Sequence, residues 1–274
     1  MSKRNENRPG YKETRVGWIP ANWSFCTFDQ LLQRVREPVT VEPNISYQEI
    51  GIRSHGKGIF HKEPIQGISI GSKSVFWIQY PTLIFNIVFA WEQAVAVTSE
   101  REKGMIASHR FPMYKQKHND VDLSYICYFF LTKRGKHLLG LASPGGAGRN
   151  KTLGQGELYR APMPHPPLSE QKKIAEILST WDEAIDQSRK LIDAKKCRKK
   201  ALMQQLLTGK KRLPGFNESW KEYRLGKLFD ERRESNYEHL MLLAITGNRG
   251  VILASEIKRK DSSSKDKSKN KNAA

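Results

Sequence analysis

The chain has 274 residues, 38% of them hydrophobic, and carries 47 Lys and Arg against 28 Asp and Glu, a formal charge of +19. That length fits one large domain or two small ones, and so large a positive surplus attracts a polyanion. No apolar run approaches the ~20 residues of a bilayer span: the longest, Tyr80–Trp91, is interrupted by Pro81, Thr82 and Asn86, and the opening MSKRNENRPG has no apolar segment behind its charges.

A cytoplasmic protein with a nucleic-acid partner is therefore expected. Cys26, Cys127 and Cys197 lie far apart with no CxxC pair, which supports neither a zinc site nor a disulfide framework.

In chain order, residues 1–15 are polar and expected to be disordered. Residues 16–165 read as one mixed α/β (α+β) domain. Within it, Phe28, Leu31, Leu32 and Val35 have helical spacing, predicting a helix over Phe25–Arg36. Ile50 and Ile52 predict a strand running into a turn at Gly56–Gly58, and the apolar, β-branched runs Thr82–Phe89 and Ala94–Thr98 predict buried strands. Leu123–Leu139 reads as one helix with a basic end, and Ser143–Lys151 as a glycine-rich loop.

Pro162, Pro164, Pro166 and Pro167 then stop the pattern. Ser169 is the expected N-cap of a helix, with Glu170 in its first turn facing the positive end of the dipole. From there to Thr208 there is neither Pro nor Gly. Ile174, Leu178, Trp181, Ile185, Ile192, Leu202 and Leu206, with Ser188, Lys195 and Lys199 filling the other seam positions, fall on steps of four and three, a coiled-coil stripe suited to packing against a partner. The helix is expected over residues 168–209, a rod of ~60 Å, with Gly209 as its stop. Its basic run Lys195–Lys200 allows three readings: contact with a DNA backbone, contact with an acidic protein face, or a solvated surface.

After the rod the chain repeats its own beginning. Trp23, Phe28, Leu31, Arg36 and Glu37 match Trp220, Leu225, Leu228, Arg233 and Glu234 in spacing, and Leu242–Asn248 echoes Ile50–His55. Residues 213–257 thus read as a fragment of a second copy, and the Lys/Ser-rich residues 258–274 as a disordered tail.

DNA contacts are expected from the basic loops of the first domain: Arg53, His55 and Lys57; Lys73; His109 and Arg110; Lys115 and Lys117; Arg149, Asn150 and Lys151. Arg pairs with guanine, Asn with adenine, and Lys with phosphates. Chemistry is sparser. Gly145–Thr152 misses the phosphate-loop pattern at Asn150; Glu170-Gln-Lys172 and Glu256-Ile-Lys258 are isolated E-x-K fragments; Asn86 is followed by Ile-Val-Phe, where an adenine methyltransferase needs Pro-Pro-aromatic. No catalytic constellation, metal site or cofactor is expected.

The run Pro166-Pro-Leu-Ser-Glu-Gln171, the length of the helix, the exit Leu206-Leu-Thr-Gly-Lys-Lys-Arg-Leu-Pro-Gly-Phe216 and the following Trp220 together resemble the central region of type I restriction–modification specificity (S) subunits. The resemblance extends more weakly over Trp23–Arg160, through Ser108–Phe111 and Ser143–Gly146. It implies a target-recognition domain, a long spacer helix and a fragment of a second recognition domain. It also implies a non-catalytic, DNA-binding subunit that brings methyltransferase (M) subunits, and through them ATP-driven restriction (R) subunits, to a split DNA site. The second domain departs from that pattern by stopping early, so a truncated subunit is expected. Such a chain acts as an antiparallel homodimer through the long helix, or is an inactive product. A stand-alone Mg-dependent nuclease is the competing class.

Overall fold

The computed structural model describes residues 9–14, 17–145, 151–232, 240–247 and 249–257. The chain divides into two units, residues 1–195 and 196–274, taken here one at a time.

The first unit is built on a four-stranded antiparallel sheet in the order Val95–Val97, Leu83–Phe85, Met113–Gln116, Leu32–Val35. Successive side chains on a strand point to opposite faces, and here both faces are buried. Leu83, Phe85, Val95 and Tyr114 join a core with the helices α2 (Leu123–Leu131) and α3 (Lys133–Leu141). Ile84, Ala96 and Met113 join a second core with Ile50, Ile52 and Ala94. Double-sided burial is why these strands read as continuous apolar runs rather than as alternation. The larger core centres on α1 (Phe28–Leu31), whose Phe28 meets Tyr114 edge-on at 4.9 Å, while Phe85 meets Phe130 at 5.4 Å. Such pairs contribute about 0.5–1.5 kcal/mol beyond their buried area.

Three expectations change. The helix expected over Phe25–Arg36 is a strand (Ser24–Thr27), the single turn α1, and a second strand (Leu32–Val35). Leu32, Gln33, Arg34 and Val35 pair with Gln116, Lys115, Tyr114 and Met113, and this ladder overrides the helical spacing. The helix expected over Leu123–Leu139 breaks at Thr132, whose extended backbone ends α2 and starts α3. Its hydroxyl donates to the Phe129 carbonyl at 2.7 Å and accepts from the Gly135 amide at 3.1 Å. A Cβ at Gly135 would lie 2.2 Å from the Phe129 carbonyl oxygen, so the junction needs glycine. Finally, residues 1–15 are not wholly irregular: Tyr11–Thr14 pairs with Gly17–Pro20, while residues 1–8, 15 and 16 lie outside those described.

After the short helix α4 (Gln155–Tyr159), the strand Pro162–His165 pairs with Ser24–Thr27 and leads into α5 (Leu168–Leu206). This helix begins at residue 168 as expected and ends at Leu206, short of the expected 209, but its cap differs. The Pro167 carbonyl accepts from the amides of Glu170 and Gln171, which places Ser169 inside the first turn rather than at the cap. Glu170 accepts from the Trp23 indole at 2.9 Å. Gln171, fully buried, accepts from the Asp122 amide and donates to the carbonyls of Asp120 and Pro166 at 2.8–2.9 Å. Ile174 and Ala175 finish the anchorage. From Glu176 to Gln205 every residue is exposed. None of the described helices is long and apolar enough to cross a membrane.

In the second unit, Gly209 stops the helix with φ 71°, its amide bonding to Leu206 and that of Lys211 to Gln205. A 3-10 turn follows at Leu225–Lys227, then a hairpin of Leu243–Thr246 with Gly250–Leu253. None of this unit's described residues is buried. Residues 258–274 lie outside those described.

Two measurements check this account. Gln171→Ala leaves buried partners unsatisfied and should lower unfolding stability by about 2–3 kcal/mol in urea titration. Ser169→Ala should cost under about 0.5 kcal/mol, where loss of a true N-cap would cost about 1; equal losses would refute the assignment. The second concerns Glu102, buried at the end of a 3-10 turn and bonded by His61 Nε2 at 2.9 Å and by the Ser99 amide and hydroxyl. Burial pushes its pKa up, but these hydrogen bonds outweigh burial and hold the carboxyl below its ordinary 4.5. The bonds thus stabilise the fold at neutral pH, and their contribution is lost as pH falls through the lowered value. Glu102→Gln should flatten the loss of stability between about pH 5 and 3; parallel curves for the two proteins would contradict this.

Candidate nucleic-acid interface

The connection between the strands Leu83–Phe85 and Val95–Val97, residues 86–93, organises the basic loops. The Asn86 amide donates to Ala94 at 2.9 Å, a 3-10 turn runs over Ala90–Glu92, and Gln93 closes it with φ 61°. Three distant segments bond to this corner. The carbonyls of Glu92 and Gln93 accept from the amides of His55 and Gly56, and the Ser54 hydroxyl donates to the Glu92 carboxylate. The Ile87 amide donates to the Arg110 carbonyl at 3.0 Å, and the Ile87 carbonyl accepts from the Leu153 amide at 2.9 Å.

The first segment is the tight turn Arg53–Gly58, closed by the Arg53 amide on the Gly58 carbonyl. His55 and Gly56 both have left-handed backbones, and a Cβ at Gly56 would strike the Leu131 side chain at 2.9 Å. The turn is therefore pressed against the end of α2, leaving His55 and Lys57 exposed. Arg53 lies 4.9 Å above the Phe60 ring, a cation–π contact that aims the guanidinium without neutralising it. Phe60 has room because residue 51 is glycine: a Cβ there would be 2.3 Å from the ring.

The second segment carries His109 and Arg110. With Lys73 they line a cleft of about 670 Å³. All three are exposed, and their side chains have no protein hydrogen-bond or ion-pair partner among the described residues. The cleft also presents Glu49, Lys62, Asn86 and Phe89, none of which sequence reasoning marked as a contact. Glu49 and Lys62 form an ion pair at 2.8 Å. Asn86 drew notice only as the wrong start of a methyltransferase loop. No spacing signal distinguishes these four residues; the sheet brings them together.

The third segment follows the glycine-rich loop. Lys151 sits 5.2 Å over the Trp91 ring on the same corner. Arg149 and Asn150 lie outside the described residues. Two further expected contacts stand elsewhere. Lys115 lies on the strand Met113–Gln116 opposite Gln33, and Lys117 donates to the Asp29 carbonyl; neither lines the cleft.

The apolar stripe of α5 is open. Leu178, Trp181, Ile185, Ile192 and Leu202 are 37–65% exposed, with Ile174 half-buried at one end and Leu206 at the other. The two E-x-K fragments have structural occupations: Glu170 holds Trp23, and Glu256 pairs with Arg249 at 2.6 Å. Among the described residues, no three His, Cys, Asp or Glu side chains stand together as a metal site.

Residues 78–194 match the model of the type I restriction modification DNA specificity domain. The chain is 22% identical over 213 residues to a Methanocaldococcus jannaschii protein described as a type I restriction enzyme MjaX specificity subunit, covering 72% of this chain and 48% of that one. Its fold is similar to that of the HsdS subunit from Thermoanaerobacter tengcongensis, with TM-score 0.52 and 18% identity over 73% of this chain and 52% of that one. It is similar, too, to a chain from a structural study of complex assembly and conformational transition in a type I R-M system, with TM-score 0.52 and 20% identity over 76% and 55%. The chain thus spans about half the length of the relatives it matches. A mixed α/β fold runs into one long helix, and residues 78–194, from Ile78 in the fold to Ala194 in the helix, match the type I restriction modification DNA specificity domain; over that span the chain is similar to type I specificity subunits.

Proposed function

We propose that the chain is the non-catalytic, cytoplasmic DNA-reading subunit of a type I restriction–modification complex, binding duplex DNA through the corner at residues 86–93 and recruiting M subunits, with R subunits joining through them. The observation that carries this is the set of exposed basic side chains around one backbone corner, none with a carboxylate partner among the described residues: Arg53, His55 and Lys57 on one side, Lys73, His109 and Arg110 on the other. Cations held by scaffold rather than by carboxylates remain available to phosphates, where they release counterions.

Residues 16–165 serve as the recognition domain and residues 168–209 as the spacer. Residues 213–257 are the opening of a second recognition domain. Two features support that last assignment: in the repeat register the turn Leu225–Lys227 falls where α1 falls, and the hairpin Leu243–Leu253 falls where Ile50–His61 falls.

The helix stripe takes a second copy of the chain, running antiparallel. Reversal about residue 190 places Ile174 opposite Leu206, Leu178 opposite Leu202, Trp181 opposite Lys199 and Ile185 opposite Lys195. The charges favour this direction. The stretch before residue 195 carries Glu176, Asp182, Glu183 and Asp186, while Lys195–Lys200 has five cations and no acid. Antiparallel pairing sets one against the other; parallel pairing sets cation against cation.

Two experiments test the proposal. Co-expression with the M subunits should produce adenine methylation at a defined motif, and binding to that motif should weaken steeply with salt. Lys73→Ala with Arg110→Ala should reduce the log–log salt slope by about 2, roughly 0.9 per phosphate contact. Sequence-independent methylation, or an unchanged slope, defeats the reading. For assembly, sedimentation should show a dimer that Trp181→Glu converts to monomer; a wild-type monomer at every concentration rules the pairing out.

A further inference from the structure

The cleft beside residues 86–93 is concave, and concavity limits what it can read. Base edges of B-DNA lie at the bottom of the grooves, ~8.5 Å deep on the major-groove side. A side chain that reads them must stand out from its protein. Lys73, His109 and Arg110, exposed on the cleft, are placed to meet phosphates. Glu49 and Asn86 are not placed to enter a groove. The Glu49 side chain is only 14% exposed, and Asn86 is half-buried, its Oδ1 held by the Val88 amide at 3.1 Å. A carboxylate in a cleft of cations also opposes phosphate binding, so backbone contact does not account for it. Lys62 keeps it in place at 2.8 Å, leaving acceptor capacity for a donor from outside.

The walls add a second observation. Phe89, 37% exposed, and Phe111 line this cleft. Both also line an adjoining cavity of about 330 Å³ that shares Lys62 and Asn86 and is walled by Phe60. Aromatic walls, a recessed acceptor and a cationic margin are the three features a single nucleotide asks of a binding site.

We propose that this cleft accepts a nucleobase turned out of the DNA duplex, one with an amino group at pyrimidine position 4 or purine position 6, cytosine or adenine, where thymine and guanine carry a carbonyl. The base stacks on Phe89, its amino group donates to the Glu49 carboxylate, and the flanking phosphates rest on Lys73 and Arg110. Glu49 is then a specificity-determining residue, since a base that presents a carbonyl in place of the amino group meets a carboxylate and is rejected. The inference rests on the DNA-reading function proposed above.

The test uses the complex of the chain with its M subunits and the duplex defined by methylation mapping. One base pair at a time is replaced by a mismatch, omitting the adenine that becomes methylated, because methyltransferases turn out their own target base. A mismatch removes part of the cost of extrusion, so at one position bearing cytosine or adenine the complex should bind about tenfold more tightly than to the matched duplex. Pyrrolocytosine or 2-aminopurine at that position should brighten on binding. Phe89→Ala, on an exposed side chain, should abolish the gain, and the isosteric Glu49→Gln should relax the preference for an amino-bearing base, because its amide offers a donor beside its acceptor. The wild-type scan stands even if a variant fails to fold. Uniform affinity for all mismatched duplexes without brightening overturns the pocket and leaves the DNA reading intact. Failure to bind any duplex overturns that reading and the pocket with it.

Discussion

The backbone hydrogen bonds of residues 86–93 are the constraint on which the arrangement of the basic loops depends. Glu92 and Gln93 hold the turn at residues 53–58, and Ile87 holds both the segment at Arg110 and the chain at Leu153. Each bond contributes only about 1 kcal/mol net. Their weight is geometric, because they bring three loops from distant parts of the chain to one place. The corner is itself stiff, since the strands on either side are buried on both faces and Gln93 donates to the Phe130 carbonyl at the end of α2. Cations mounted on such a scaffold lose less freedom on binding than cations on free loops.

A second constraint governs the long helix. The recognition domain grips it through Glu170, Gln171, Ile174 and Ala175, and again where the Tyr128 hydroxyl donates to Asp182 at 2.9 Å. Three of these contacts are polar and directional, and those of Glu170 and Gln171 are also partly buried, which fixes an angle as well as a distance. The stripe beyond is bare. A helix fixed at its first turns and bare beyond them suits a spacer: direction comes from the domain, and the remaining energy must come from whatever covers Trp181, Ile185 and Ile192.

Much of this was legible in the sequence, where the signal was long or punctuated by glycine and proline. The stripe from Ile174 to Leu206 located α5 because seven of its ten seam positions are apolar, and Gly209 located its end. Gly56 and Gly58 marked a turn that the structure bears out with positive φ at both. Phe25–Arg36 misled because spacings of three and four occur by accident over twelve residues, and a strand partner eighty residues away decides the outcome. The break at Thr132 was missed because the apolar pattern runs across it; Thr132 itself caps both helices, and Gly135 tolerates the close approach of the Phe129 carbonyl. At the recognition face, exposed cations were legible because charge alone nominates them. Glu49, Asn86 and Phe89 were not, because their meaning is the cleft they share. Lys117 shows the reverse error: a cation nominated by charge and held by the Asp29 carbonyl.

The basic composition divides by location. The run Lys195–Lys200 would pass for a DNA-binding element, and total charge alone favours that. Yet these cations lie along the same helix as an acidic stretch at residues 176–186, on a rod whose apolar seam is open. Charge separated along one helix selects direction when two helices pair, as antiparallel alignment neutralises both halves at once. A cation so neutralised contributes little to counterion release from DNA. Under the proposed function the same surplus would serve two ends, and salt would act on both through screening. Added salt should therefore loosen assembly as well as DNA contact, whereas substitutions at Lys73 and Arg110 touch only the second. On the proposed reading, that difference separates DNA-contacting cations from those that direct pairing, a distinction that net charge cannot make.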